Sequence, residues 1–322
     1  MKHPAYGFSL ALLGLLGGAM SGAHANDSVG WISTGGVQYL KSNDIRMVSE
    51  DLYISTDKIR VQYEFINDSA QAVQETVLFP LPAMRLGEDG DFADVAGLNN
   101  SFKVWVNDKP VTPQKNLRVL WGKKDITEAF TRECRLSHAE ITDPFGGDRA
   151  DRFMEKRVAP CLQTLNRQGV IRYNPKQNDS QTKIWDAQMI YSWQQTFPAK
   201  QSIRVRHEYA PLVGGATQFP RTVTEGSQQF KRNYCIDNTF MSKLGNRPAS
   251  YSALGYILTT GANWAKPIER FHLTVDKPKD SLLSMCWDAS LKKISDTRFE
   301  ANKTQFTPSR DLEILFAHPR VD

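Results

Sequence analysis

The strongest constraint on this chain is a strict alternation. Ile59, Val61, Tyr63 and Phe65 are apolar, while Arg60, Gln62 and Glu64 between them are charged or polar. Successive side chains of an extended strand point to opposite faces, so the pattern demands a β-strand with one dry and one wet face. After the polar turn Asn67-Asp68-Ser69, the set Val73, Glu75, Val77, Phe79 interleaves with Ala72, Gln74, Thr76, Leu78, a second strand with less contrast between its faces. A hairpin joining the two is the economical expectation. The second strand runs into Phe79-Pro80-Leu81-Pro82. Amide N–H groups two residues apart point the same way, so Pro80 and Pro82 delete two successive donors from one side. That predicts a sheet edge or a strand exit rather than a strand in the middle of a sheet.

Further strands are expected at 44–49, 51–55, 101–106, 183–197, 202–209, 251–259, 270–275, 281–287, 298–300 and 312–316. Many short strands separated by polar turns predict a mainly β fold with antiparallel β-sandwich architecture. The middle of the chain breaks the pattern. Asp125 and Glu128 read as a capping box ahead of Ile126, Phe130 and Cys134 at helical spacing, with the helix continuing to about Ile141. A second helix is marked by Pro160 near its start, by the face Cys161, Leu162, Leu165, and by Gly169 past its end. The segment 153–158 reads as part of another helical turn. The expected organisation is a β-rich part at 26–112, a helical insertion at 113–178 and a second β-rich part at 179–322, all behind a leader at 1–25.

That leader joins a basic start, Lys2 and His3, to an apolar stretch at 8–20 and the small residues of Ala23-His24-Ala25. It has the form of a secretory signal peptide cleaved before Asn26. No cysteine stands at the new N-terminus to be acylated, and no later stretch approaches the roughly 20 apolar residues of a membrane span. The mature chain is therefore expected in the periplasm. The whole sequence carries 40 basic and 35 acidic side chains, and losing Lys2 with the leader leaves an excess of four. The charges are interspersed, with no basic stripe for nucleic acid.

Cys134, Cys161, Cys235 and Cys286 all lie in the exported part, where oxidising conditions favour disulfides. Four cysteines allow three pairings. Cys134–Cys161 and Cys235–Cys286 are favoured because each staples one segment, and in the chain-entropy model each loop contributes about 3–4 kcal/mol. Buried free thiols are the alternative.

The chain carries no GxSxG elbow, no phosphate-cradling glycine loop and no HExxH, and no cofactor is expected. His207 alternates with Val205 and Tyr209 and reads as a packing or surface histidine. Asp89, Asp91 and Asp94 form an acidic loop that offers oxygen ligands to calcium. The EF-hand pattern fails there, because Asp94 stands where glycine is needed and Asn100 where glutamate is needed. Trp264 lies in a loop marked by Gly261, Asn263 and Pro267, where it is either a binding platform or a cap on the sandwich core.

The run 59–82 resembles the strand-turn-strand of the vault protein inter-alpha-trypsin domain, a β-sandwich. The von Willebrand A metal motif DxSxS is absent, so metal-dependent adhesion does not transfer. Wider similarity is to an uncharacterised bacterial exported family, domain of unknown function 4424, through SEDLYIS (49–55), FPLP (79–82), TFPAKQSIRVRHEYAP (196–211), NYCID (233–237) and YILTTGANWAKPIERFHLTV (256–275). That resemblance implies no activity. The favoured function is a non-catalytic module binding an envelope protein or glycan, with Tyr234, Asp237, Asn263 and Trp264 as the site. The alternative is an envelope hydrolase whose paired carboxylates are brought together by folding.

Overall fold

The computed structural model describes residues 28–33, 36–40, 42–85, 100–143, 150–174, 184–221 and 225–320. The leader and the acidic loop of Asp89, Asp91 and Asp94 lie outside the described residues. Most described strands fall into three sheets, and the chain is mainly β with antiparallel pairing dominant.

The strand Ile59–Asn67 buries Ile59, Val61, Tyr63 and Phe65 and exposes Arg60 and Gln62, as its alternation demands. It lies inside an eight-stranded sheet, between Ile45–Ile54 and Ser202–Tyr209. The strand Val73–Pro80 joins a different, seven-stranded sheet, between Ser28–Ser33 and Asp186–Phe197. The expected hairpin is thus a crossover between sheets. Asn67 explains the crossing: fully buried, it donates its side-chain amide to the carbonyls of Gln71 at 2.8 Å and Phe197 at 2.9 Å, and accepts from the Ser69 N–H at 2.9 Å. Those bonds satisfy the turn backbone that ladder pairing would otherwise use.

The two sheets then share one core, in which Val61, Tyr63, Phe65 and Val205 cluster with Val77, Phe79, Tyr191 and Trp193. Burying each such side chain contributes about 1.5–3 kcal/mol. Val73–Pro80 has neighbours on both sides, which corrects the expectation of an edge. The exit reading of the two prolines agrees with the geometry. Leu81 donates its N–H to Met189 O at 2.8 Å, so the donors missing at Pro80 and Pro82 lie on the opposite side, where pairing with Ser28–Ser33 is described only as far as Leu78. The segments expected at 44–49 and 51–55 are one strand, Ile45–Ile54, with a register shift between Met47 and Ser49.

The first helix begins where the Asp125 signal places it. Gln114–Trp121, ahead of it, is a strand paired with Asp186–Phe197, and the helix itself is Thr127–Cys134. Asp125 accepts from the Thr127 N–H at 2.9 Å and its hydroxyl at 2.6 Å, but the complete capping box belongs to Ser137 and Glu140 at the start of His138–Thr142. Arg135, at φ 49°, ends the first helix before Ile141. Ala150–Phe153 continues through a π-turn, Met154–Val158, into Ala159–Arg167, with Pro160 in its first turn and Gly169 beyond its end at φ 70°. Phe130, Ile141, Leu162 and Leu165 cluster with Trp185, whose Nε1–H donates to Ile141 O at 3.0 Å.

The third sheet contains Val213–Ala216, Ala249–Tyr256, Leu312–Pro319 and Leu282–Met285 in that order. The apolar run of Leu312–Pro319 is buried on both faces. Ile314 and Phe316 join the main core, while Leu315 and Ala317 meet Phe240 and Leu244 of the helix Asn238–Leu244. Cys134 pairs with Cys161 and Cys235 with Cys286, at Cα separations of 5.1 and 5.0 Å, as favoured.

Candidate functional site

The candidate site is built around Cys286-Trp287-Asp288, just past the strand Leu282–Met285. Asp288 folds back in an Asx turn, its Oδ1 accepting from the Ser290 N–H at 2.9 Å and the Ser290 hydroxyl at 2.6 Å. The Ser290 hydroxyl also accepts from Trp287 Nε1–H at 3.0 Å. Lys303 donates to the other Asp288 oxygen, and its ammonium stands 5.8 Å from the Trp287 ring centroid. The indole packs against Phe271 and Phe306, each with ring centroids 6.0 Å away. Its edge is held by a hydrogen bond and its body by two rings, so the indole is rigid before anything binds.

This rigid indole lines a cleft of about 340 Å³, together with Leu258, the Cys235–Cys286 disulfide, Asp288, Lys303, Phe306, Ser309 and Arg310. Five parts of the chain converge there. Cys235 follows the helix Glu225–Asn233, Lys303 and Phe306 end the strand Arg298–Phe306, and Ser309 and Arg310 precede the last strand. Asp311 fixes the opposite wall, its Oδ1 accepting from the N–H groups of Leu258 and Thr259 at 3.0 Å and from the Thr259 hydroxyl at 2.8 Å. The ammonium of Lys303 and the two bonds from Ser290 hold the Asp288 carboxyl down at about 2. It is therefore an anion at any physiological pH.

None of the residues expected to bind lines this cleft. Tyr234 is half-buried against Phe230, and its carbonyl accepts from Ser284 Oγ at 2.8 Å. Asp237 caps Asn238–Leu244, accepting from the Phe240 N–H at 2.7 Å. Asn263 closes the turn Thr259–Asn263, and its carbonyl accepts from the Ser42 N–H at 2.8 Å. Trp264 is 2% exposed and packs on Phe65 at 4.5 Å between ring centroids, so of its two readings the structure selects the core cap and corrects the platform. The cause is the anchoring of its turn: Ala265 N–H donates to Ile45 O at 3.0 Å and draws the indole inward.

Trp287, Lys303, Ser309 and Arg310 were missed because strand packing accounts for the first and nothing local marks the others. The one available signal was Trp287 directly ahead of the turn sequence Asp288-Ala289-Ser290. His207 is a packing residue, completely buried among the rings of Tyr63, Phe79, Phe102 and Trp193. Burial drives its pKa down to about 3.

No helix among the described residues is long and apolar enough to cross a membrane, and no described group of three or more His, Cys, Asp or Glu is arranged to hold a metal ion. No curated protein sequence matches the chain. Among solved structures it is similar to a "putative nutrient binding protein" from Legionella pneumophila subsp. pneumophila, at 16% identity and a TM-score of 0.45, over 91% of this chain and 70% of that one. The profile of the family described as Domain of unknown function (DUF4424) matches residues 25–315, and the chain belongs to that family.

Proposed function

We propose that the chain is a non-catalytic binding module of the bacterial cell envelope, working in the periplasm, and that its ligand seat is the cleft beside Trp287. The rigid indole carries this reading. A half-buried aromatic surface with fixed polar neighbours is the usual composition of a small-ligand site, and about 340 Å³ falls within the range of such sites. Two disulfides and an expected leader support export.

The hydrolase alternative needs two close carboxyl groups, one held protonated near neutral pH. Asp288 is the carboxylate lining the cleft, and its pKa is displaced the other way, to about 2. The Glu75 carboxyl is raised by burial, with Asp44 adding to the effect, but it lies on the strand Val73–Pro80 and does not line the cleft. Binding is therefore the better supported function.

The test is crosslinking in intact cells with a photoreactive residue at position 309, followed by mass spectrometry. The expected result is one reproducible envelope adduct that disappears when Trp287→Ala is added. A folded, exported protein that captures nothing, or whose adduct ignores Trp287→Ala, overturns the reading.

A further inference from the structure

Resting on the cleft as a ligand seat, we propose that its ligand is a carboxylated saccharide, a sugar acid free or within a short glycan. Charge is the first argument. The Lys303 ammonium is committed to Asp288, whereas Arg310 lines the cleft, is exposed, and makes no ion pair among the described residues. A guanidinium presents a planar fork of donors that matches a carboxylate through two parallel hydrogen bonds. The cleft therefore has a place for one added negative charge.

Shape and polarity supply the rest. The C–H face of a pyranose ring is apolar and flat enough to lie on an indole, and Trp287 is already fixed in position by Ser290, Phe271 and Phe306. The Asp288 oxygens and the Ser309 hydroxyl stand at the same cleft, offering acceptors and a donor for ring hydroxyls. A purely apolar acid would have to desolvate Asp288 without replacing its water, which disfavours a fatty or simple aromatic acid. A ring carrying several hydroxyls and one carboxylate satisfies every group at once.

The experiment titrates the mature protein with tri-D-galacturonic acid and with its neutral counterpart galactotriose, following tryptophan fluorescence and calorimetry. Tri-D-galacturonic acid is expected to bind about tenfold or more tightly than galactotriose, the scale of one charge-assisted contact. Arg310→Ala should abolish that preference with the thermal melt unchanged, and Arg310→Lys should restore part of it. Trp287→Ala should weaken both probes. Equal binding of the two sugars overturns the acidic class and leaves the binding reading standing. Binding of neither sugar, while the crosslinker at 309 still gives its Trp287-dependent adduct, overturns the saccharide class alone. A peptide bound through its terminal carboxylate is one such result. Loss of both signals overturns both readings.

Discussion

Trp264 and Trp287 make an instructive pair. Each follows a structured segment and enters a loop, yet Trp264 is nearly sealed in the sandwich core while Trp287 stays half-exposed at a cleft. Their N–H groups differ in the same sense: Trp287 donates to Ser290, whereas the buried Trp264 Nε1 finds no hydrogen-bond partner among the described residues. A buried donor left unsatisfied costs about 1–3 kcal/mol, so Trp264 is retained for its packing. A loop position in the sequence is not a surface position in the fold.

The largest expected effect that sharpens this contrast is Trp264→Ala, which removes a buried indole and should lower stability by about 3–5 kcal/mol in urea unfolding. Trp287→Ala should cost far less stability and act on ligand binding. Comparable stability losses would break the comparison.

Next comes the staple beside Trp287. Replacing Cys235 and Cys286 with serine opens a loop of sequence separation 51 and should cost about 4 kcal/mol. The same change at Cys134 and Cys161, separation 27, should cost slightly less, about 3.5 kcal/mol. Only the first pair lines the cleft, so only the first should alter the environment of Trp287. The chain has six other tryptophans, so the Trp287 contribution is isolated as the difference in emission between each double mutant and the same mutant carrying Trp287→Phe. A Trp287 shift in the Cys134/Cys161 variant would contradict the separation of the two regions.

Acid supplies a control that acts on the shared core. His207 is held neutral, with a pKa of about 3 against an ordinary 6.5. Below pH 6.5 the unfolded chain takes up the proton while the native chain does not. Stability is therefore complete above pH 6.5, falls as pH drops, and levels near pH 3. Between pH 7 and 5 the loss should be about 2 kcal/mol. His318, also lowered by burial, contributes in the same direction. His207→Phe should flatten the dependence of the urea midpoint on pH without changing the Trp264–Trp287 contrast. An unchanged slope would show that His207 takes up its proton in the native state.

The smallest effect tests Asp237. As a helix cap it should lose about 1 kcal/mol on replacement by alanine, with tri-D-galacturonic acid binding unchanged. Weakened binding at constant stability would instead return Asp237 to the site.

Local patterns in the chain were legible because they express local rules. Alternation at Ile59–Phe65 named the buried face, Pro160 and Gly169 bracketed a helix, and the cysteine spacing favoured the pairing that forms. The turn at Asn67-Asp68-Ser69 was visible too, but its sequence does not distinguish a hairpin from a crossing between sheets. That depends on where the buried Asn67 amide finds its carbonyls, and Phe197 is 130 residues away.

The site was the least legible part. Leu258, Cys235, Trp287, Lys303 and Arg310 come from separate strands, helices and loops, and no periodicity relates them. The sequence by itself determined the β character, the helical interruption and which side of many strands is dry, because those follow from side-chain direction along a single segment. Only the tertiary structure decided which strands share a sheet, which tryptophan is sealed and which is open, and that Arg310, without an ion pair among the described residues, lines the same cleft as Trp287. Those depend on long-range packing, in which a few hydrogen bonds such as Ala265 to Ile45 or Trp287 to Ser290 fix the position of a whole ring.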